Sequence, residues 1–255
     1  MSFETISLRV EDSVAFLTMQ RGSVNILNIQ MMEEMANALE SVKERNDIHA
    51  LIIQAEGKAF SAGVAVEDHV GKWTEPMIFA FHKLFHLLGS IPCPTIGAVE
   101  GAAIGGGCEL ASFCDITIAA ESSKFGQPEI NLGLFPPVSA AYFPWLMGYN
   151  RTMELLLTGK TLSAEEAKEF GLINSVVPAG QVRESVEELL NDLKNKSRSA
   201  LKLTKQAVRA SMGTSMSGAI AEVEQIYLQN LMKTDDAKEG LDAFMEKRQP
   251  VWSHT

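Results

Sequence analysis

The sequence predicts an α/β protein whose strands are at least partly parallel. Three observations carry this. Short apolar runs of strand length alternate with longer stretches of helical period up to about residue 180. A glycine-rich turn follows one of those runs and opens an apolar helix. Beyond it lies an almost wholly helical C-terminal part, so strands and crossover helices belong to the first body.

Taken in order, Ile6-Ser7-Leu8-Arg9-Val10 and Val14 to Met19 read as two strands joined by the polar turn Glu11-Asp12-Ser13. From about Gln30 to Arg45, Met31, Met35, Ala38, Leu39 and Val42 recur at helical spacing. Ala50 to Ala55 is a short apolar run suited to a buried strand. Lys58 to Gly63 reads as a small-residue loop. Pro76 to Gly89 reads as a helix with Phe79, His82, Phe85 and His86 on adjacent turns. Thr95 to Val99 is a strand leading to the glycine turn, and Asp115 to Ala120 is the next. Ser163 and Glu166 have the form of a capping box that starts a helix. The helical part begins near Val182, with a Met-rich, Gly-containing break at Ser211 to Ser217. We divide the chain into a core of residues 1–190 and a helical region of residues 191–255.

The composition, 46% hydrophobic and 21% charged over 255 residues, is that of a globular protein with one large core. A net charge of −10 argues against nucleic acid, which needs a basic surface to displace counterions. Cys93, Cys108 and Cys114 are odd in number and lack CxxC spacing, which points to reduced thiols and not to a disulfide frame. They bring no histidine partner for zinc, so no metal is expected. Met1-Ser2-Phe3-Glu4 shows no signal-peptide pattern, and the apolar runs are too short to span a membrane. The expectation is a cytoplasmic protein.

Two carboxylates stand out. Glu109 lies about one turn inside the helix opened by Gly105-Gly106-Gly107, and Glu129 lies in the turn Phe125-Gly126-Gln127-Pro128-Glu129-Ile130. A glycine turn at a helix start offers bare N–H groups and the positive end of the helix dipole. Such a place holds a developing oxyanion while nearby carboxylates move protons. Glycine triplets alone are more often plain turns, and a glutamate one turn into a helix is more often a solvated dipole partner. Glu109 sits among Cys108, Leu110 and Ala111, which weakens that plainer reading.

Residues 98–133 and four further segments closely resemble the enoyl-CoA hydratase/isomerase (crotonase) superfamily. The glycine-turn stretch is joined by Lys58-Ala59-Phe60-Ser61-Ala62-Gly63, Leu157-Thr158-Gly159-Lys160, the run from Ala164 to Ile173, and Phe244 to Pro250. These segments follow the family's order over nearly the whole chain. The resemblance implies a crotonase-like spiral of ββα units with a C-terminal helical trimerisation region, assembled as a homotrimer or dimer of trimers. It also implies an acyl-CoA substrate, with no cofactor beyond the CoA of the thioester itself.

By the same resemblance, the N–H groups of Val64 and Gly106 form an oxyanion hole, the backbone at Ala62 meets the adenine of CoA, and Glu109 and Glu129 hold one water. Hydration of a conjugated thioester passes through an enolate-like state with charge on the carbonyl oxygen. Preorganised donors stabilise that charge where it develops. Glu129 is the expected principal acid/base and Glu109 its partner. Many isomerases of the superfamily keep one of the two acids, so the complete pair favours hydration.

The chain departs from ordinary straight-chain hydratases at Ala65, where the family commonly carries Asp. It departs again after Glu129, where Asn131-Leu132-Gly133-Leu134-Phe135-Pro136-Pro137-Val138-Ser139 replaces a glycine-rich stretch. These features, with Phe79 to His86, resemble the cyclohexa-1,5-diene-1-carbonyl-CoA hydratases of anaerobic benzoyl-CoA degradation. Pro136 and Pro137 are expected to stiffen the wall of a short, broad acyl pocket, with Phe135 and Val138 as lining candidates. A general short-chain enoyl-CoA hydratase or isomerase is the alternative, and a non-catalytic crotonase-fold binding protein is the alternative of another class. Four side features take plainer readings: packing or pocket lining for His82 and His86 over a metal, a surface loop for His69 over a ligand contact, solvation for Lys247 and Arg248 over CoA phosphates at a subunit interface, and a structural turn for Asp115.

Overall fold

The computed structural model describes residues 3–213 and 216–255. Met1, Ser2 and residues 214–215 of the Met-rich break lie outside the described residues, as do the side chains of 216 and 217. Ten strands are named in chain order: β1 (Ile6–Glu11), β2 (Val14–Met19), β3 (Ala50–Ala55), β4 (Ala59–Ser61), β5 (Thr95–Val99), β6 (Ala102–Ile104), β7 (Ile116–Ala120), β8 (Lys124–Gly126), β9 (Thr161–Ser163) and β10 (Ser175–Val177). The α-helices are α1 (Ile29–Lys43), α2 (Thr74–Ser90), α3 (Gly106–Phe113), α4 (Pro137–Met147), α5 (Tyr149–Thr158), α6 (Ala164–Phe170), α7 (Val182–Lys194), α8 (Arg198–Ala210), α9 (Met216–Gln229) and α10 (Asp235–Glu246).

The expected hairpin is present: β1 and β2 pair antiparallel across the Asp12-Ser13 turn, both of whose residues have positive φ. From there the chain winds. β3, β5 and β7 lie side by side in parallel in a six-stranded sheet of order β1-β2-β3-β5-β7-β10. β4, β6 and β8 lie in parallel in a second sheet of order β4-β6-β8-β9. Each pass thus lays one strand in each sheet and then a helix: β3-β4-α2, β5-β6-α3, β7-β8-α4. This is a spiral of ββα units, and the α/β expectation holds.

The small sheet positions the site. Its three parallel strands end at neighbouring points, so the segments after β4, β6 and β8 converge at one carboxyl edge. In open parallel sheets the carboxyl edge is where ligand-binding loops gather. Those segments are residues 62–64, the glycine turn, and Gln127 to Glu129.

The core is built from the apolar faces that periodicity marks out. Met31, Met35, Ala38, Leu39 and Val42 of α1 are all buried, and the Asn28 side chain caps that helix by accepting from Met31 N at 3.1 Å. The face of α2 differs from the one expected. Met77, Ala80, Phe81, Leu84, Phe85 and Leu88 are its buried stripe, whereas Phe79 is 64% exposed. Phe79, His82 and His86 instead share an open surface groove with Lys43 and Lys83. An aromatic run leads on from buried Phe81 and Phe85 to half-buried Phe113 and Tyr142, with Phe81–Phe85, Phe85–Phe113 and Phe113–Tyr142 ring centroids 4.8, 5.2 and 4.7 Å apart.

Two expected loops carry regular structure. Lys58 to Gly63 contains the short strand β4, too brief to show an alternation. The stretch after Glu129 enters α4, with Pro137 at its first turn, where a missing N–H costs nothing. The capping box stands as read: Glu166 N donates to Ser163 Oγ at 3.2 Å, and Ser163 N donates to Glu166 Oε2 at 2.7 Å. Asp115 is structural, accepting from Thr95 N at 2.8 Å and from Thr95 Oγ1 at 2.9 Å.

Backbone contacts group Met1–Ile91 with Thr95–Glu187, and Pro92–Pro94 with Glu188–Thr255. Within the second unit the helices expose large apolar side chains, among them Ile220, Tyr227, Leu228, Leu241, Phe244 and Met245. Arg248 is held by Glu239, with Nη1 at 2.6 Å from Oε1 and Nη2 at 2.9 Å from Oε2, and also by Glu246 at 2.6 Å. It is therefore committed to the carboxylates of α10, the helix just before it, and not merely solvated. Among the described residues no helix is long and apolar enough to cross a membrane. No group of three or more His, Cys, Asp or Glu side chains among them is placed to hold a metal ion. The three cysteines are buried free thiols.

Candidate active site

The glycine turn is built for close approach. Gly105 has φ 53° and ψ −127°, a conformation that side-chain-bearing residues rarely adopt. A Cβ there would stand 2.5 Å from Glu129 Oε1, so the carboxylate of Glu129 lies directly against the turn. A Cβ on Gly106 would meet Val64 Cγ2 at 2.8 Å and Phe81 Cε2 at 3.0 Å, and one on Gly107 would meet Ser61 Cβ at 2.6 Å. The end of β4 and the segment after it therefore pack on the start of α3 with no room for a side chain on Gly106 or Gly107.

That packing brings Val64 and Gly106 together. Gly106 is the first residue of α3, so its N–H has no acceptor within the helix. Val64 forms a parallel bridge with Leu27, in which Leu27 N donates to Gly63 O at 2.9 Å and Ala65 N donates to Leu27 O at 2.8 Å. Those bonds use the groups of residues 63 and 65, and strand alternation turns the Val64 N–H to the opposite side. Ala62 is exposed and its N–H is donated to Val24 O at 2.9 Å, which leaves its carbonyl to offer a ligand.

Asn25 and Ser61 hold this loop, and sequence reasoning missed both. Asn25 is fully buried at φ 48°; its Nδ2 donates to Glu56 O at 2.6 Å and Ala59 O at 3.0 Å, and its Oδ1 accepts from Arg21 N at 2.8 Å. Ser61 Oγ donates to Asn25 O at 2.7 Å, and Gly63 N donates to Ser61 Oγ at 3.2 Å. The available signal was a polar Asn inside the run Val24 to Leu27, of a residue type tolerant of left-handed backbone.

The two glutamates sit in unlike surroundings. Glu109 is buried, and its Oε1 accepts from Ser139 N at 2.6 Å at the start of α4. Burial pushes its carboxyl up to about 8, against the pull of the Ser139 bond, and the charge of Glu129 adds to the upward push. Glu129 is partly exposed on the 3-10 turn Pro128–Leu132, and burial raises its carboxyl too. Its Oε2 is buried with no hydrogen-bond partner in the protein. The neighbouring Cys108 thiol is pushed up to about 12, again chiefly by burial, and stays neutral.

Two lining expectations meet different fates. Phe135 is 69% exposed on this chain and does not form a buried wall, whereas Val138 is half-buried in the first turn of α4 beside Ser139. Phe81, which sequence reasoning left among the helix aromatics, stands against Gly106 instead. His69 turns its Nδ1 to Ala65 O at 2.9 Å, within its own 3-10 turn.

The family model for enoyl-CoA hydratase/isomerase matches residues 9–255. A protein named probable enoyl-CoA hydratase from Mycobacterium bovis is 35% identical, with all of both chains covered. A crotonyl-CoA hydratase from Syntrophomonas wolfei is also 35% identical, covering 97% of each chain. The solved structure of an enoyl-CoA hydratase from Bacillus anthracis superposes with a TM-score of 0.91 at 30% identity, over 99% of this chain and all of that one. With the ββα spiral and the paired glutamates at its carboxyl edge, the chain has the crotonase fold and belongs to the enoyl-CoA hydratase/isomerase family of enzymes.

Proposed function

We propose that this chain is a hydro-lyase that adds water to the double bond of a conjugated enoyl-CoA thioester. The observation that carries the reading is the meeting of Glu129 with the Gly105-Gly106 turn, beside the buried Glu109. The thioester carbonyl would accept from Val64 N and Gly106 N, and the enolate charge would grow at that oxygen. Removing one such donor typically costs ~3 kcal/mol in the transition state. A water held by Glu109 and Glu129 would supply the hydroxyl to the β-carbon, and a glutamate would deliver the α-proton. The unpartnered Glu129 Oε2 suits that water. The carbonyl of Ala62 would receive the adenine amino group of CoA. Water addition is redox-neutral, so the reading calls for no cofactor beyond the CoA of the substrate.

For the acyl group we propose the cyclic diene, taking cyclohexa-1,5-diene-1-carbonyl-CoA to 6-hydroxycyclohex-1-ene-1-carbonyl-CoA in anaerobic benzoyl-CoA degradation. Support comes from the stretch after Glu129, where Pro136 and Pro137 lead into α4 and fix its start against Glu109. A second reading, general short-chain enoyl-CoA hydration, is favoured by the likeness to the crotonyl-CoA hydratase. Incubation with each thioester, following product by chromatography, separates the two. Turnover of crotonyl-CoA with none of the cyclic diene rejects the first.

The proposed assembly is a homotrimer or dimer of trimers, supported by the apolar side chains that α9 and α10 expose. The proposed setting is the cytoplasm, which suits three free thiols.

A further inference from the structure

Three buried polar side chains form a chain behind the reacting groups. Gln127 and Ser139 are both fully buried, and Glu109 is 1% exposed. Gln127 Nε2 donates to Ser139 Oγ at 2.7 Å, and Ser139 N donates to Glu109 Oε1 at 2.6 Å. Because Gln127 fills an acceptor position on the Ser139 hydroxyl, its proton is left to point onward. The pull of that hydroxyl on the Glu109 carboxyl is downward, in the same direction as that of the Ser139 amide.

The start of α4 adds to this. Pro137 has no N–H, so the first bare donors of that helix are those of Val138 and Ser139; the Ser139 N–H donates to Glu109, and the Val138 N–H pulls the carboxyl down as well. Glu109 thus caps α4 from a different helix. Gln127 also stands two residues before Glu129, so one short segment carries both the far end of this chain of bonds and the second acid.

We propose that Ser139, backed by Gln127, is a positioning residue for Glu109. Its amide holds the carboxylate in one orientation, and amide and hydroxyl together set the pH at which Glu109 exchanges its proton. The inference rests on the hydratase reading for its catalytic consequence, but not for its effect on Glu109. The charged group facing Glu109 is Glu129 from the 3-10 turn. Cys108 on α3 is a neutral thiol, and what Gln127 and α4 present is uncharged. Donors to the carboxylate therefore oppose burial and the Glu129 charge.

The test is a pair of titrations on full-length protein carrying Ser139→Ala or Ser139→Thr. Infrared difference spectroscopy reads the Glu109 carboxyl band, identified by its loss in Glu109→Gln. Removing the hydroxyl is expected to raise the Glu109 midpoint by roughly one pH unit, tenfold in its protonation constant, and threonine is expected to restore it. In the pH profile of hydration the same limb shifts, with kcat down roughly tenfold and KM within about twofold. If Ser139→Ala fails to fold, Gln127→Met breaks the far end of the chain and is expected to raise the midpoint less. An unmoved infrared midpoint in a folded Ser139→Ala protein overturns the proposal. A moved midpoint in a protein that hydrates no enoyl-CoA upholds it and rejects the hydratase reading.

Discussion

Glu129 lies against Gly105 so closely that a Cβ on that glycine would stand 2.5 Å from its Oε1. The backbone there also has φ 53°, so alanine meets both strain and a carboxylate. Gly105→Ala is expected to destabilise the fold by about 1–3 kcal/mol and to displace Glu129. Urea unfolding and hydration kinetics on one preparation check this, with kcat falling more than the stability loss alone explains.

The glutamates themselves give the sharper test. Glu129→Gln and Glu109→Gln keep size and hydrogen bonding while removing the proton exchange. Each is expected to lower kcat by roughly 10²–10⁴-fold. The double variant is expected to lose little more than the worse single one, because the two hold one water. Hydration unchanged in both variants, across every acyl-CoA tried, would reject the catalytic assignment.

Glu109 also ties stability to pH. Its native carboxyl lies near 8, above the ordinary value of 4.5. Below about 4.5 both folded and unfolded chains hold the proton, and Glu109 contributes no pH dependence. Between those values the native state binds the proton and the unfolded chain releases it, so rising pH favours unfolding. The cost grows by up to about 1.4 kcal/mol per pH unit and levels off above 8. Glu109→Gln is therefore expected to gain on the parent across this window when Tm is followed against pH. Glu129, raised in the same direction, leaves part of the slope in place.

Asn25 is expected to matter without touching the chemistry. It ties Glu56 O, Ala59 O and Arg21 N into one support for the segment that carries Val64. Asn25→Ala strands the buried Ala59 carbonyl and two part-buried groups, and is expected to cost roughly 1–3 kcal/mol. Chemical denaturation measures the loss. Hydration of a saturating acyl-CoA should fall as well, since the Val64 amide loses its placement.

Assembly is checked by light scattering. A trimer or hexamer is expected as a multiple of 27.8 kDa. Polar substitution of Tyr227 and Leu228 is expected to lower that mass.

Much of this was legible in the chain because burial writes a period into long elements. The stripe Met31, Met35, Ala38, Leu39 and Val42, the paired strands around Asp12-Ser13, and the Ser163/Glu166 box are local patterns that tertiary packing reinforced. The three-residue strands β4, β6 and β8 were not legible, since three residues cannot display an alternation. Helix α4 was hidden as well: its Pro-Pro start and internal Pro144 look like loop, and apolar residues on every side erase the helical period. On α2 the aromatic content was plain, but which face sinks depends on what packs against it.

By itself, then, the sequence determined the α/β class, the helical end, the glycine turn and the two acids worth attention. The resemblance already expected Val64, Gly106, Glu109 and Glu129 at one site, and only the tertiary structure decided how: residues 62–64, Gly105 to Gly107 and Gln127 to Glu129 meet because three parallel strands finish side by side. It also decided how unlike the acids are. Glu109 is sealed under the start of α4 and Glu129 is left half-open, and no local pattern encodes burial that depends on a helix thirty residues away.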